Sequence, residues 1–274
     1  MKTKEKFELY KPKKFLGQNF LVDDNIARKI VASLGIESTD SVIEIGPGRG
    51  ALTKHIAGLT NNFTAVEFDK GVHANLQKEF GEGVNLVHSD FLEFDLASHS
   101  KKSNTKLKII GNIPYNITSK ILFKLFDVYE LVDCVVLMVQ KEVASRLIAK
   151  TRSKEYGILS VQTQIHCKPE VLFHVPPTAF FPKPSVKSSI IKFSFNGEQQ
   201  VRNIVNMEIF RSVLRESFGQ RRKFMSNSLS SLFEKYELAF GDIDFDFTRR
   251  PETLSPEEFV TLGNQVAEKI MNHK

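Results

Sequence analysis

The chain has 274 residues, 41% hydrophobic and 26% charged, with a net charge of +6 and a pI near 9.1. Those values exclude wholesale disorder, leave room for one large domain with a small companion, and suit a polyanionic partner. No apolar run is long enough to span a membrane, the two cysteines (Cys134, Cys167) form no CxxC, and the seven histidines form no HExxH, so no membrane anchor, disulfide framework or metal site is expected.

The first residues carry Lys2, Lys4, Lys6, Lys11, Lys13 and Lys14, interrupted by Glu5 and Glu8. They lack the apolar stretch of a secretory signal, and the expected location is the reducing cytoplasm. From residue 41 to about 140, short β-branched apolar runs (42–45, 63–66, 84–87, 107–110, 132–139) alternate with helix-like segments. That rhythm predicts an α/β fold, a Rossmann-like parallel sheet with helices on both faces. Ile117, Ile121, Leu122 and Leu125 stand at helical spacing, whereas residues 187–195 alternate and predict a late antiparallel strand. After Asn196-Gly197-Glu198, helical periodicity takes over at 207–218, 223–236 and 256–272, with Ser255 as N-cap and Pro256 in the first helical position. The expected domains are therefore 1–197, including a basic N-terminal segment 1–20, and an all-α domain 198–274.

Val42-Ile43-Glu44-Ile45 runs into Gly46-Pro47-Gly48-Arg49-Gly50, with a helix expected from Ala51. Glycines suit a sharp turn that a ligand approaches closely. Gly46, Gly48 and Ala51 also satisfy the GxGxxG/A dinucleotide fingerprint, with Glu67 ending the next strand. Two features favour S-adenosylmethionine instead: the acid Glu44 just before the loop and the third glycine, Gly50. A pyrophosphate would be repelled by that acid, whereas an ammonium and a sulfonium would be attracted. Glu67 could accept the ribose hydroxyls. Asp90, taken as the end of the third strand, could accept from the cofactor's adenine amine.

The fourth strand leads into Gly111-Asn112-Ile113-Pro114-Tyr115. At the C-terminal edge of a parallel sheet this tetrapeptide fits methylation of an exocyclic adenine amine. The amine's lone pair is delocalised into the ring. The Asn112 side-chain carbonyl and a nearby backbone carbonyl, accepting its hydrogens, would localise that pair toward the methyl group. Pro114 would fix the loop, and Tyr115 would stack on the flipped base. Positioning, rather than a strong base, would supply most of the catalysis.

With these residues the chain resembles the bacterial small-subunit rRNA adenine N6-dimethyltransferases over almost its whole length. The likeness runs through Phe15-Leu16-Gly17-Gln18-Asn19-Phe20-Leu21, the glycine loop, the tetrapeptide, Gln140-Lys141-Glu142-Val143-Ala144-Ser145-Arg146, Tyr156-Gly157-Ile158-Leu159-Ser160-Val161 and the proline segment at 181–186. The resemblance implies a class I methyltransferase sheet and an S-adenosylmethionine site of Asn19, Leu21, Gly46, Glu67, Asp90 and Asn112. It also implies a second aromatic, Phe181, opposite Tyr115, with neighbouring Phe180 as the open alternative. Lys187 stands where the family often has an acid.

The C-terminal region carries Arg211, Arg215, Arg221, Arg222, Lys223, Arg249 and Arg250. A charge run is commonly a solvated face, but Arg221, Arg222, Lys223, Arg249 and Arg250 are the candidate RNA contacts. Residues 218–223 and 250–259 resemble the housekeeping rRNA enzymes, whereas the large-subunit methylases of macrolide resistance share only the catalytic half. The resemblance thus implies two adjacent adenines in the 3′-terminal hairpin loop of 16S rRNA as substrate, each dimethylated, within the immature small subunit, by a monomer. The competing expectations are an assembly checkpoint that binds the ribosome and a nicotinamide-dependent oxidoreductase.

Overall fold

The computed structural model describes residues 17–272 except 104 and 198. The N-terminal lysines, with Phe15 and Leu16, lie outside the described residues. Cα proximity divides the chain into two units: the chain up to Ala144 with Pro169–Asn196, and Ser145–Lys168 with the chain from Gly197 onward. The single boundary expected near 197 therefore misses one segment, since 145–168 groups with the C-terminal residues.

The first unit runs β1 (Phe20–Leu21), α1 (Asp24–Leu34), β2 (Ser41–Ile45), α2 (Thr53–Ile56), β3 (Asn62–Glu67), α3 (Lys70–Phe80), β4 (Asn85–His88), α4 (Leu96–Ser103), β5 (Leu107–Asn112), α5 (Thr118–Asp127) and β6 (Val132–Gln140). After α6 (Lys141–Leu147), which carries the chain out of this unit, it resumes with β7 (Lys168–Val175), β8 (Phe180–Phe181) and β9 (Ser188–Ser194). Among the described residues the main sheet has seven strands in the order β4-β3-β2-β5-β6-β9-β7. Strands β4 to β6 pair in parallel, and β9 pairs antiparallel with β6, as its alternation predicts. All five residues of β2 are buried. Because successive side chains point to opposite faces, both faces of the sheet are covered.

Local chemistry explains the helix ends. The Asp23 side chain accepts from Ile26 N–H at the start of α1, and Gly35 ends it in the left-handed region at φ 63°. Asp69 caps α3 by accepting from Gly71 and Val72. The helix expected from Ala51 is shorter, a single turn that begins at Thr53. Strands β1 and β8 pair with each other, Phe20 opposite Phe181 and Leu21 opposite Phe180. They are too short to have shown a period in the sequence.

The second unit contains α7 (Ile158–His166), α8 (Met207–Gly219), α9 (Met225–Ser228), α10 (Ser230–Lys235) and α11 (Pro256–Asn272). Ser255 caps α11 as expected: its hydroxyl accepts from Glu258 N–H at 3.2 Å, and the Glu258 carboxylate accepts from Ser255 N–H at 2.8 Å. The single helix expected over 223–236 is broken between α9 and α10. This stretch is rich in serine, and the Ser228 and Ser230 hydroxyls bond to the Phe224 and Asn227 carbonyls (both 3.1 Å), competing with the helical ladder. Buried Tyr156 anchors residues 145–168 to this unit by donating to the Leu254 carbonyl at 2.8 Å and packing its ring against Phe218.

Candidate active site

Strand order reverses at β2 and β5: β3 and β4 lie to one side, β6 and β9 to the other. Ligands of open α/β sheets bind outside the C-terminal ends of the strands at such a point. The glycine loop leaves β2 there, and the tetrapeptide leaves β5. Their parallel register sets Ile45 beside Gly111, so residues far apart in sequence meet. A Cβ on Gly111 would lie 2.8 Å from the Ile45 carbonyl oxygen, so the close approach of the two strands requires glycine.

A cavity of about 220 Å³ opens at this position. Its lining includes Asn19, Leu21, Gly46, Glu67, Asp90 and Asn112, the whole expected cofactor set, together with Glu44, Pro114 and Tyr115. Three acids (Glu44, Glu67, Asp90) face one base, Arg49, in that lining. The balance suits a cationic ligand and disfavours a pyrophosphate, so the donor set fits S-adenosylmethionine.

Each group is held by the fold. Glu44 is 1% exposed and accepts from the Thr53 hydroxyl at 2.7 Å. Burial pushes its carboxyl up to about 8, with the neighbouring Glu67 charge adding and the Thr53 hydroxyl opposing. Glu67 accepts from Gly48 N–H (3.1 Å) and Asp69 N–H (2.8 Å), one on each oxygen, leaving further lone pairs for ribose hydroxyls. Burial raises its carboxyl too, and those N–H groups pull it back. Gly46 and Gly48 adopt φ of 61° and 59°, which turns the loop under the cavity. Asp90 lies beyond the end of β4 rather than on it, and its side chain accepts from Leu92 N–H at 2.8 Å. That turn is the ordinary structural use of an aspartate, and it engages only one of the two carboxylate oxygens.

The tetrapeptide is tied to the N-terminal arm. Asn112 Nδ2 donates to the Asn19 carbonyl at 3.0 Å, which commits the amide nitrogen and leaves Oδ1 for another donor. Asn19 in turn donates to the Gly17 carbonyl at 3.2 Å. The Pro114 carbonyl is taken by Ile117 N–H, so the Ile113 carbonyl is the remaining backbone acceptor beside Asn112. The Tyr115 hydroxyl and Ser188 Oγ are 2.6 Å apart, which fixes the plane of the ring. Burial raises the Tyr115 phenol, and Ser188 opposes that shift.

Of the two candidate aromatics, Phe180 is 2% exposed and belongs to the core, whereas Phe181 is 51% exposed. Phe181 stands on β8 opposite Phe20, and the Arg49 guanidinium carbon lies 4.6 Å from the Phe20 ring centroid and 5.8 Å from that of Phe181. Phe181 is not itself a lining residue. Sequence reading missed Phe20, Arg49 and Phe68, which do line the cavity. Phe68 is 58% exposed directly after Glu67, and an apolar residue following an acid at a strand end was the available signal.

The basic residues divide. Arg221 donates to Glu252 (2.8 Å), to the Ser153 carbonyl (2.7 Å) and to the Lys154 carbonyl. Arg249 holds the Glu258 carboxylate through both terminal nitrogens, at 2.6 and 3.0 Å. Both guanidinium groups are thus engaged inside the second unit. Arg222, Lys223 and Arg250 are exposed and enter no ion pair among the described residues.

A Rossmann-like sheet with an acidic cavity at its switch point and an Asn-Ile-Pro-Tyr segment at its rim defines a class I S-adenosylmethionine-dependent methyltransferase. A family model described as ribosomal RNA adenine dimethylase matches residues 10–267. The chain belongs to that family, which removes the oxidoreductase alternative: it is an rRNA adenine dimethyltransferase with S-adenosylmethionine as methyl donor. The ribosomal RNA small subunit methyltransferase A of Francisella tularensis subsp. novicida (strain U112) is 42% identical over 259 residues, covering 93% of this chain and 97% of that protein. Its counterpart in F. tularensis subsp. tularensis (strain SCHU S4 / Schu 4) is 41% identical over the same length. A dimethyladenosine transferase from Plasmodium falciparum shares the fold, with a TM-score of 0.74, 22% identity, and coverage of 93% of this chain and 98% of its own. The 23S rRNA methyltransferase ErmE does so with a TM-score of 0.65, 21% identity, and coverage of 91% and 100%.

Proposed function

We propose that this enzyme dimethylates N6 of two adjacent adenosines in the 3′-terminal hairpin loop of 16S rRNA, acting as a cytoplasmic monomer on the immature small subunit. The observation that carries the reading is Asn112 at the end of β5, with its amide nitrogen committed to Asn19 and its oxygen free. The names of the relatives at 41–42% identity support the small subunit. No helix among the described residues is long and apolar enough to cross a membrane. Cys134 and Cys167 are free and buried, in keeping with a reducing compartment.

When bound, the cofactor supplies a methyl group on a sulfonium. Glu44 would hold its ammonium, Glu67 its ribose and Asp90 its adenine amine, while Gly46, Asn19 and Leu21 shape the pocket. The target adenine, flipped out of its loop, stacks on Tyr115 and is closed from the other side by Phe181, whose ring Arg49 holds near Phe20. Asn112 Oδ1 and the Ile113 carbonyl accept the two N6 hydrogens and turn the nitrogen lone pair toward the methyl carbon. Pro114 keeps that carbonyl in place. Transfer would break the methyl's bond to sulfur as the C–N bond forms, leaving S-adenosylhomocysteine, and the excess proton would leave the acidified amine for solvent. Residues 198–274 present Arg222, Lys223 and Arg250 to the RNA backbone.

Stacking is worth about 1–3 kcal/mol per base. Tyr115→Ala is therefore expected to lower kcat/KM for small subunits roughly 5- to 100-fold, and Tyr115→Phe, which keeps the ring and loses only the Ser188 bond, to stay within a few-fold of wild type. Equal losses in the two variants would assign the role to the hydroxyl. The substrate assignment is tested by mass spectrometry of rRNA fragments from cells with and without the protein. Dimethyladenosine at adjacent small-subunit positions only when the protein is present is the expected result, and its appearance in large-subunit RNA instead would sink the assignment.

A further inference from the structure

The second unit carries an aromatic side chain that its core does not use. Phe224 is 47% exposed. Its backbone begins α9, with the carbonyl accepting from Asn227 and Ser228, but the ring takes no part in that bonding. Two backbone bonds, Met225 N–H to the Arg249 carbonyl (2.8 Å) and Ser226 N–H to the Phe247 carbonyl (3.0 Å), zip this segment alongside 247–250. The pairing sets the Arg250 guanidinium carbon 5.8 Å from the Phe224 ring centroid. Two basic stretches separated in sequence thus form one surface.

Charge accounting says what that surface would take. Glu252 neutralises Arg221, and Glu258 neutralises Arg249. Arg222 and Lys223, which directly precede Phe224 in the chain, and Arg250, beside its ring, are all exposed and in no ion pair among the described residues, so their positive charge is uncompensated. A solvent-facing aromatic accompanied by cations is the combination that binds single-stranded nucleic acid, with a base on the ring and phosphates on the cations. We propose that Phe224, with Arg222, Lys223 and Arg250, is a docking site for an unpaired nucleotide of RNA, distinct from the adenine site. The inference rests on the RNA-directed role proposed above for this part of the chain.

The test is fluorescence polarisation of full-length protein with a labelled eight-nucleotide single-stranded RNA and with the same strand in a duplex. Phe224→Ala is expected to weaken single-strand binding roughly 5- to 100-fold, to change duplex binding little, and to leave the salt slope as in wild type. Phe224→Trp restores binding, whereas Phe224→Leu does not. Arg222→Ala with Lys223→Ala lowers the slope of log affinity against log salt by about 1.4, the value for two single-strand phosphates. Wild-type affinity in Phe224→Ala would overturn the proposal. Full rescue by leucine would also overturn it, pointing to an apolar protein contact instead. Methyl transfer to small subunits separates the two claims. Binding indifferent to Phe224 in an active enzyme removes the docking site and leaves the proposed function standing. Phe224-dependent binding by a protein inactive on small subunits does the reverse.

Discussion

Asn112→Ala lowers kcat for methyl transfer by about 10²- to 10³-fold, while the melting temperature falls only by the loss of one partly buried hydrogen bond, about 1 kcal/mol. The large effect follows from the chemistry of the amine. Its nucleophilicity depends on acceptors that localise the lone pair, and Asn112 Oδ1 is the side-chain acceptor at the rim whose own nitrogen is already tied down, 3.0 Å from the Asn19 carbonyl. The modest stability cost follows because, among the described residues, that bond is the one the Asn112 side chain makes. Asn112→Asp keeps an acceptor and is expected to retain more activity than alanine. Its negative charge repels the Asn19 carbonyl, however, so the oxygen is less well aimed. Initial rates of labelled methyl transfer to small subunits, with S-adenosylhomocysteine binding as the control for an intact pocket, decide the point. Unchanged turnover in Asn112→Ala would sink the mechanism.

Glu44→Gln makes the empty protein more stable at alkaline pH and the cofactor bind more weakly. Burial moves the Glu44 carboxyl from its ordinary 4.5 up to about 8. A group raised in the folded state contributes stability that is complete below pH 4.5 and is lost as pH climbs through about 8. Wild type therefore loses stability across that window, by at most on the order of 5 kcal/mol. Glutamine keeps an oxygen for the Thr53 hydroxyl and removes the titration, so the variant's stability no longer declines with Glu44 and exceeds that of wild type at pH 8. The cost appears in binding. A bound ammonium is expected to draw the proton off Glu44 and pair with the carboxylate, a charge glutamine cannot supply, so affinity falls roughly 10- to 100-fold. Thermal melts across pH 5 to 9, with calorimetric titration of S-adenosylhomocysteine, read both effects. A variant that keeps the wild-type pH slope would assign that slope to another group.

Those two residues also mark how far a sequence can be read. Glu44 was visible because an acid before a glycine loop is a local pattern with a local electrostatic reason, and Asn112 because a rigid Asn-Ile-Pro-Tyr turn has a chemical one. The strand rhythm, the late antiparallel strand and the Ser255 cap were readable on the same ground, since period and capping are encoded within a few residues. By itself the sequence determined the fold class, the methyl donor's chemistry and the type of reaction. Tertiary structure decided everything that depends on long-range pairing. The register of β2 and β5 brings Glu44 and Asn112 to one cavity. The pairing of β1 with β8 buries Phe180 and leaves Phe181 in solvent, a choice that adjacent phenylalanines cannot reveal. The bonds to Glu252 and Glu258 decide which of the candidate RNA contacts are already ion-paired, Arg221 and Arg249, and the Tyr156 anchor assigns 145–168 to the second unit. In each case the deciding partner lies beyond the window in which periodicity or turn chemistry operates, and only the packed chain specifies which partner is met.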